Sequence, residues 1–498
     1  MNVNPITRLD YPDPDVIRVE DTYYMVSTTM HFMPGCEILQ SFDLVHWEHA
    51  TYVYETLDHT DAQQLKSGQN IYGQGMWAAS LRYHEGRFYI CFVANDTRKT
   101  YLYTSEKIDG PWKKQLIEGF YHDGSLLFDE DGRSYIVYGN DEIWITELNE
   151  DLTAPKKDGL HRLLVSDHKN PELGYEGSHI QKINGYYYIF LIHSLRDRWM
   201  RTEACFYSDS LEGEFTGGDV LCDDRGYCGQ GVAQGGIVDT PDGKWYAMLF
   251  QDSGAVGRIP ILVPVTWKDH FPFFGQNGHV PEEIEVHSTR PGYIYQPLVG
   301  SDDFCNGLLP RWQFNHDPDP RYYHLDALQG TYTITTREVC TELTQAVNTL
   351  TQRMSYPSCA AEVTVDASAL KEGDVAGLCA LQSCYAAVGI TKHHGKYEVL
   401  MLDKKEDGIL DMTERTVVES HQMDFRLEAD FCNMKDEARC YYRVNKGDWL
   451  PIGTVHKLYF KLDHFTGCRF GLFCYAAEET GGSACFRDFK YYDVDEIS

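Results

Sequence analysis

DGSLLFDEDGRSYIVY, residues 123–138, holds a short apolar run, a Gly-centred turn and a second apolar run closing on tyrosine. Each run has the length of a β-strand, and Asp131-Gly132 is a dipeptide that tolerates the positive φ of a two-residue hairpin loop. The template recurs in both directions along the chain. Upstream lie DPDVIRVEDTYYMVS at 13–27 and WAASLRYHEGRFYICF at 77–92; downstream lie EGSHIQKINGYYYIFL at 176–191 and QGGIVDTPDGKWYAML at 234–249. Glu85-Gly86, Asn184-Gly185 and Asp242-Gly243 repeat the turn chemistry, and Asp21-Thr22 takes their place in the first copy. The copies stand about 50 to 60 residues apart, room for four short strands each. SFDLVHW at 41–47, SEKIDGPW at 105–112 and SDSLEGEF at 208–215 read as clasps between later strands of a unit. Five such units arranged radially predict a five-bladed β-propeller, in which repetition protects the sheet edges. A parallel solenoid would show a shorter period and fewer Gly-centred hairpins.

Counting back from Tyr24, Tyr89, Tyr135, Tyr188 and Tyr246, the copies open on Asp13, Trp77, Asp123, Glu176 and Gln234. The distance is 12 residues in four copies and 11 in the first. The first strand of each blade lines the central channel, so equivalent positions form one ring around the axis. Singly, these residues say little: an Asp before a strand is ordinarily a turn residue, and a lone Trp is ordinarily core. Together, three ring positions carry carboxylic acids that face one another. Clustered like charges cost stability and persist where chemistry needs them.

Hydrolysis of a glycosidic bond needs such a set. One carboxyl group must be protonated to serve the leaving oxygen, and a second must be ionised to act on the other face of the sugar. A third can tune the proton donor through its charge. Carboxylates facing across a channel leave room for a water between them, at the separation of about 6.5–9.5 Å that predicts inversion of the anomeric centre. A sugar-binding propeller without catalysis is the alternative, and it would not need acids at all three positions.

The chain has 498 residues, long enough for two domains, and is 43% hydrophobic and 13% aromatic, with 34 tyrosines that favour β architecture. Its net charge of −31 argues against nucleic acid as a partner, whereas a neutral sugar is indifferent to it. No run of about 18 apolar residues suggests a membrane span. MNVNPITRLDYPDPDV lacks the apolar core of a secretory signal, which leads us to expect a cytoplasmic bacterial protein. The 15 scattered cysteines read as reduced thiols. Homo-oligomerisation stays open. Beyond residue 303 the repeat stops, and alternating stretches such as AAEVTVDA, YEVLML and CRFGLFCYA suit a β-sandwich. The reading is an all-β chain: a propeller catalytic domain over 1–297 and a sandwich over 303–498.

YPDPDVI, GMWAAS, HDGSLLFDEDG, YEGSHI, GGIVDTPDGKWY and GRIPILVPVTW, in that order, make the propeller resemble glycoside hydrolase family 43. The resemblance implies Asp13 as the general base that activates water, Asp123 as modulator and orienter, and Glu176 as the general acid. It implies Arg258 as a contact to sugar hydroxyls, Trp77 as a pocket wall and a structural role for Asp15. Many members carry His where Gln234 stands, helping to hold calcium on the propeller axis. Gln is a weaker ligand, so an axial calcium and no ion both remain open, and the chemistry requires no cofactor. In the loop TTMHFMPGCEIL at 28–39, Phe32 is expected to be a platform for an apolar sugar face or a packed anchor, and His31 is open in the same way. NTLTQRMSYPSCAAEVTVDASALKEGDVAGLCALQ resembles the concanavalin-like C-terminal domain of many β-xylosidases of this family, in which a sandwich loop narrows the active site. The implied activity is exo-acting, inverting release of terminal β-D-xylose and/or α-L-arabinofuranose from xylan-derived oligosaccharides. A retaining, fructose-cleaving propeller hydrolase is the runner-up; its N-D-P-N-G and R-D-P segments do not occur in this sequence.

Overall fold

The structure is a computed structural model and describes residues 2–493. Five four-stranded antiparallel sheets form the blades of a propeller. Their innermost strands are Asp15–Val19, Met76–His84, Ser125–Phe128, Glu176–Ile183 and Ile237–Asp239. A sandwich of an eight-stranded and a seven-stranded sheet follows. Among the described residues no helix is long and apolar enough to cross a membrane, and all 15 cysteines are free.

Turn chemistry explains most of the hairpins. Glu85-Gly86 (φ 48° and 78°) and Asn184-Gly185 (φ 50° and 85°) form the two-residue loops expected of them. The first copy differs from expectation by one residue. Thr22 already pairs with Val19, so the loop is Glu20-Asp21, with Glu20 at φ 56°. Asp131-Gly132 and Asp242-Gly243 lie instead inside longer loops between Phe128 and Ser134 and between Asp239 and Trp245. Those loops are closed by the amides of Asp129 and Thr240 donating to the carbonyls of Arg133 and Lys244, both at 2.9 Å. The expected clasps join the third and fourth strands of their blades; in two of them an indole donates along the loop, Trp47 to the Leu44 carbonyl at 3.0 Å and Trp112 to the Ile108 carbonyl at 3.2 Å.

Every innermost strand begins with a left-handed kink. Asp13, Asp123 and Gln234 themselves have φ of 51°, 48° and 59°. In the other two blades the kink falls one residue later, at Ala78 (φ 22°) and Gly177 (φ 63°), and the ladder bulges between Trp77 and Ser80 and between Glu176 and His179. Left-handed backbone at non-glycine residues costs on the order of 1–3 kcal/mol each and gathers at functional sites. Here all five ring residues sit at such a kink or directly before one.

Deeper in the channel, Arg82 joins four blades. From blade two it donates to the Asp15 carboxylate of blade one (2.7 Å), to Ser125 Oγ (2.7 Å) and the Leu126 carbonyl (2.8 Å) of blade three, and to the Ile180 carbonyl of blade four (3.1 Å). His179 Nδ1 lies 3.1 Å from the other Asp15 oxygen. Burial alone would raise the Asp15 pKa, but Arg82, His179 and the Leu81 amide outweigh it and bring it down to about 2.

The sandwich is fastened to the propeller by backbone and buried charge. Phe32–Met33, from the loop of blade one, is the edge strand of the eight-stranded sheet, pairing with Gln313–Asn315. The Arg469 guanidinium lies 3.5 Å from the Phe32 ring centroid. Arg353 pairs with buried Glu37 at 2.8 Å and donates to the Asp10 carbonyl at 2.8 Å. Asp10 in turn accepts from the amides of Arg258 and Gly467, both at 2.7 Å.

The axial pair gives a stability test. A carboxyl whose folded pKa lies below its unfolded value stabilises the fold above the unfolded value and loses that contribution as pH falls through the folded one. Asp15→Asn is expected to cost about 3–5 kcal/mol near neutral pH, because it leaves Arg82 buried and unpaired. The gap to wild type should then narrow by about 2 kcal/mol as pH falls from about 4 to about 2. Urea unfolding across that range checks this, and a gap that does not change with pH would show that Asp15 is not held ionised by Arg82.

Candidate active site

The five ring residues Asp13, Trp77, Asp123, Glu176 and Gln234 line one cavity of about 240 Å³, together with His122, Asn140, Leu173, Arg201, Arg258, Leu462 and Phe465. The ring inferred from the repeat count is therefore a physical pocket. Asp13 is 3% exposed. One of its oxygens accepts from Arg258 Nη1 and the other from Thr28 Oγ1, both at 2.6 Å. Asp123 is 6% exposed and accepts from the Gly177 amide at 2.9 Å, a bond that the kink at Gly177 makes available. Glu176 is the most open of the three, its side chain 19% exposed, and it accepts from Asn140 Nδ2 at 2.7 Å.

His122 bridges two of the acids. Its Nε2 lies 3.5 Å from both Asp123 Oδ2 and Glu176 Oε2. The charge of Asp123 and the bond to Glu176 outweigh burial and raise the imidazole pKa to about 9. Burial, with the charges of Glu176 and Asp13, raises Asp123 to about 6 despite His122. Glu176 goes the other way: burial pushes its carboxyl up, but His122, Arg201 and Arg258 bring it below the usual glutamate range. The elevation expected from neighbouring negative charge thus falls on Asp123, because Glu176 has three cations around it.

The sandwich completes the wall. Phe465 packs edge-on against Trp77, with ring centroids 5.0 Å apart, and lies 3.7 Å from the Arg258 guanidinium. Phe32 is not in the pocket. It is 1% exposed, at the domain seam under Arg469, because its backbone is committed to the sandwich sheet. The expected sugar platform is therefore a packed anchor. His31 is buried beside it, its ring 4.8 Å from His316 and 5.3 Å from His464, and burial holds its pKa well below the usual histidine value.

The residues do not fit a calcium ion on the axis. A hard cation takes 6–8 oxygens, and the oxygens that converge there, from Asp15, Ser125, Leu126 and Ile180, already accept from Arg82. Gln234 lines the pocket, and its backbone amide donates to the Glu203 carboxylate at 2.7 Å.

A profile described as Glycosyl hydrolases family 43 matches residues 3–272. The chain belongs to glycosyl hydrolase family 43. A second profile, Beta xylosidase C-terminal Concanavalin A-like domain, matches residues 301–492. A relative named beta-xylosidase from Formosa agariphila is 27% identical over 99% of this chain and 89% of its own length. A non-reducing end alpha-L-arabinofuranosidase from Bacteroides ovatus is 24% identical over 82% of this chain and 79% of its own length. Among solved structures, the bifunctional GH43-CE protein of Bacteroides eggerthii superposes with a TM-score of 0.91 at 42% identity. It covers 100% of this chain, which spans 64% of that longer protein. The family 43 assignment makes the chain a glycoside hydrolase, with carbohydrate as its substrate.

Six residues that line this family 43 pocket escaped the sequence reading: the apolar Leu173 and Leu462, and His122, Asn140, Arg201 and Phe465. His122 directly precedes a ring acid, and that adjacency was the available signal. Asn140 and Arg201 lie on second and third strands, at the end of Ser134–Asn140 and the start of Arg201–Ser208, outside the aligned first strands. Phe465 comes from the other domain, and no spacing rule connects it to the ring.

His122 supplies a prediction. Its positive charge lowers the Glu176 pKa, so removing it should raise that pKa. The alkaline limb of kcat/KM, which reports the acid of the free enzyme, should move to higher pH in His122→Asn. An alkaline limb left where it is in wild type would exclude His122 as the group that sets the charge of Glu176.

Proposed function

We propose that this chain removes a single terminal pentose, β-D-xylose or α-L-arabinofuranose, from xylan-derived oligosaccharides, with inversion at the anomeric carbon. One observation carries the reading: three carboxyl groups from three blades converge in a small pocket that a second domain walls off. At about 240 Å³ the cavity falls below the range of about 300–1,000 Å³ usual for larger ligands. That size suits one sugar ring and favours attack at a chain end. The choice of pentose follows the names of the relatives.

Asp13 is the general base. It is buried, held by Arg258 and Thr28 in one orientation, and comes from a blade not adjacent to that of Glu176. A water between Asp13 and the anomeric carbon would attack the face opposite the leaving group. Glu176 is the general acid, because the most exposed of the three carboxyls is the one that can meet the leaving oxygen at the pocket mouth. A bound sugar excludes water from Glu176 and shifts its pKa upwards, towards the protonated form that it must supply. Asp123, with the elevated pKa, and His122 hold charge and proton beside it.

Two measurements test the roles. Glu176→Gln should slow substrates with poor leaving groups by about 10²–10⁴-fold and activated aryl glycosides much less. Equal losses on both would leave Glu176 a binding role. Proton NMR in the first minutes of β-xyloside cleavage should show α-xylose appearing before mutarotation. β-Xylose first, or a glycosyl ester trapped on Asp13, would replace inversion by retention in the same pocket.

A further inference from the structure

Arg258 is the arginine that the motif reading placed in the pocket, and two of its three guanidinium nitrogens are engaged within the protein. It bonds Asp13 at 2.6 Å and lies 3.2 Å from Asp252 Oδ1. A second arginine lines the same cavity. Arg201, 2% exposed, begins the third strand of blade four, and its Nε lies 2.9 Å from the other oxygen of Asp252. Among the described residues its buried Nη1 has no hydrogen-bond partner. The Trp199 and Phe250 rings lie 5.3 Å and 5.2 Å from its guanidinium, an apolar lining that stabilises charge but accepts no conventional hydrogen bond.

A buried guanidinium with an unfilled donor is costly, since each unsatisfied buried polar group loses about 1–3 kcal/mol and charged ones more. An acceptor arriving with the ligand would remove that cost. The pocket's own chemistry narrows the acceptor. Asp13, Asp123 and Glu176 stand against His122, Arg201 and Arg258, so the pocket holds no surplus of positive charge to draw a sugar acid, and a neutral hydroxyl oxygen suffices as the acceptor.

We infer that Arg201 donates a hydrogen bond to one hydroxyl of the bound terminal sugar and sets the enzyme's demand for that hydroxyl. This rests on the terminal-pentose reading above. Arg201 is a binding and specificity residue here: it neither receives nor delivers the proton of the reaction. A site built to bond a hydroxyl rejects the analogue lacking it far more strongly than an apolar pocket rejects a change of size, by up to about 10⁴–10⁵-fold. Losing the hydroxyl returns Arg201 to its unpaired state, so the discrimination originates in the protein.

The test uses the full chain and aryl pentosides of whichever sugar wild type cleaves, together with derivatives deoxygenated at one ring position at a time. The readout is the ratio of kcat/KM for parent and deoxy substrate, which does not depend on how much of a variant is correctly folded. In Arg201→Met the penalty for one deoxygenation should shrink at least tenfold while the others stay as in wild type. Arg201→Lys, which keeps a charged donor, should retain part of that penalty. Wild-type penalties preserved at every position in Arg201→Met would overturn the inference and leave Arg201 a structural partner of Asp252. Absence of wild-type turnover on both aryl xyloside and aryl arabinofuranoside would instead sink the terminal-pentose reading, and the inference with it.

Discussion

The guanidinium of Arg82 on the propeller axis is the contact on which the rest is built. A radial array of sheets has no core of its own at the centre, where the innermost strands leave a channel with backbone carbonyls around it. A planar cation with five donors can address several blades at once, and Arg82 bonds to groups on three others besides its own blade. The same bonds keep Asp15 ionised while Asp13, two residues earlier, points into the pocket. The charge of Asp15 on the axis and that of Asp13 in the pocket thus lie two residues apart, separated by the left-handed turn at Asp13.

That arrangement explains why so much of the site was legible before any coordinates. The propeller announced itself through a repeat with a fixed count from ring residue to closing tyrosine, and a fixed count survives kinks that would confuse a reading of strand boundaries. Asp13, Trp77, Asp123, Glu176 and Gln234 were found together for that reason. Local turn reading worked where the loop was short, at Glu85-Gly86 and Asn184-Gly185. At Asp131-Gly132 and Asp242-Gly243 it missed the extra residues, since the dipeptide looks the same inside a longer loop.

What stayed hidden depends on contacts far apart in sequence. Phe32 looked like a sugar platform because it follows the second strand of blade one, yet its backbone pairs with residues near 314. Phe465, which does help to wall the pocket, had no mark in its surroundings to connect it with Trp77. Arg82, inside WAASLRYHEG, reads as an ordinary polar strand residue, because a lone basic residue in an alternating strand more often faces solvent. In each case the deciding partner belongs to a different blade or to the other domain.

The shared strand at Phe32–Met33 also bears on how such a protein can change over generations. Accessory domains joined by a flexible linker can be gained, lost or exchanged by recombination, since neither half needs the other to complete a sheet. Here the blade-one loop supplies the edge of the sandwich sheet, and the sandwich supplies a ring of the pocket wall. A crossover near residue 300 would deprive one half of a strand and the other of its active-site aromatic. Separating the two halves by recombination therefore carries a structural cost that a module on a flexible linker escapes.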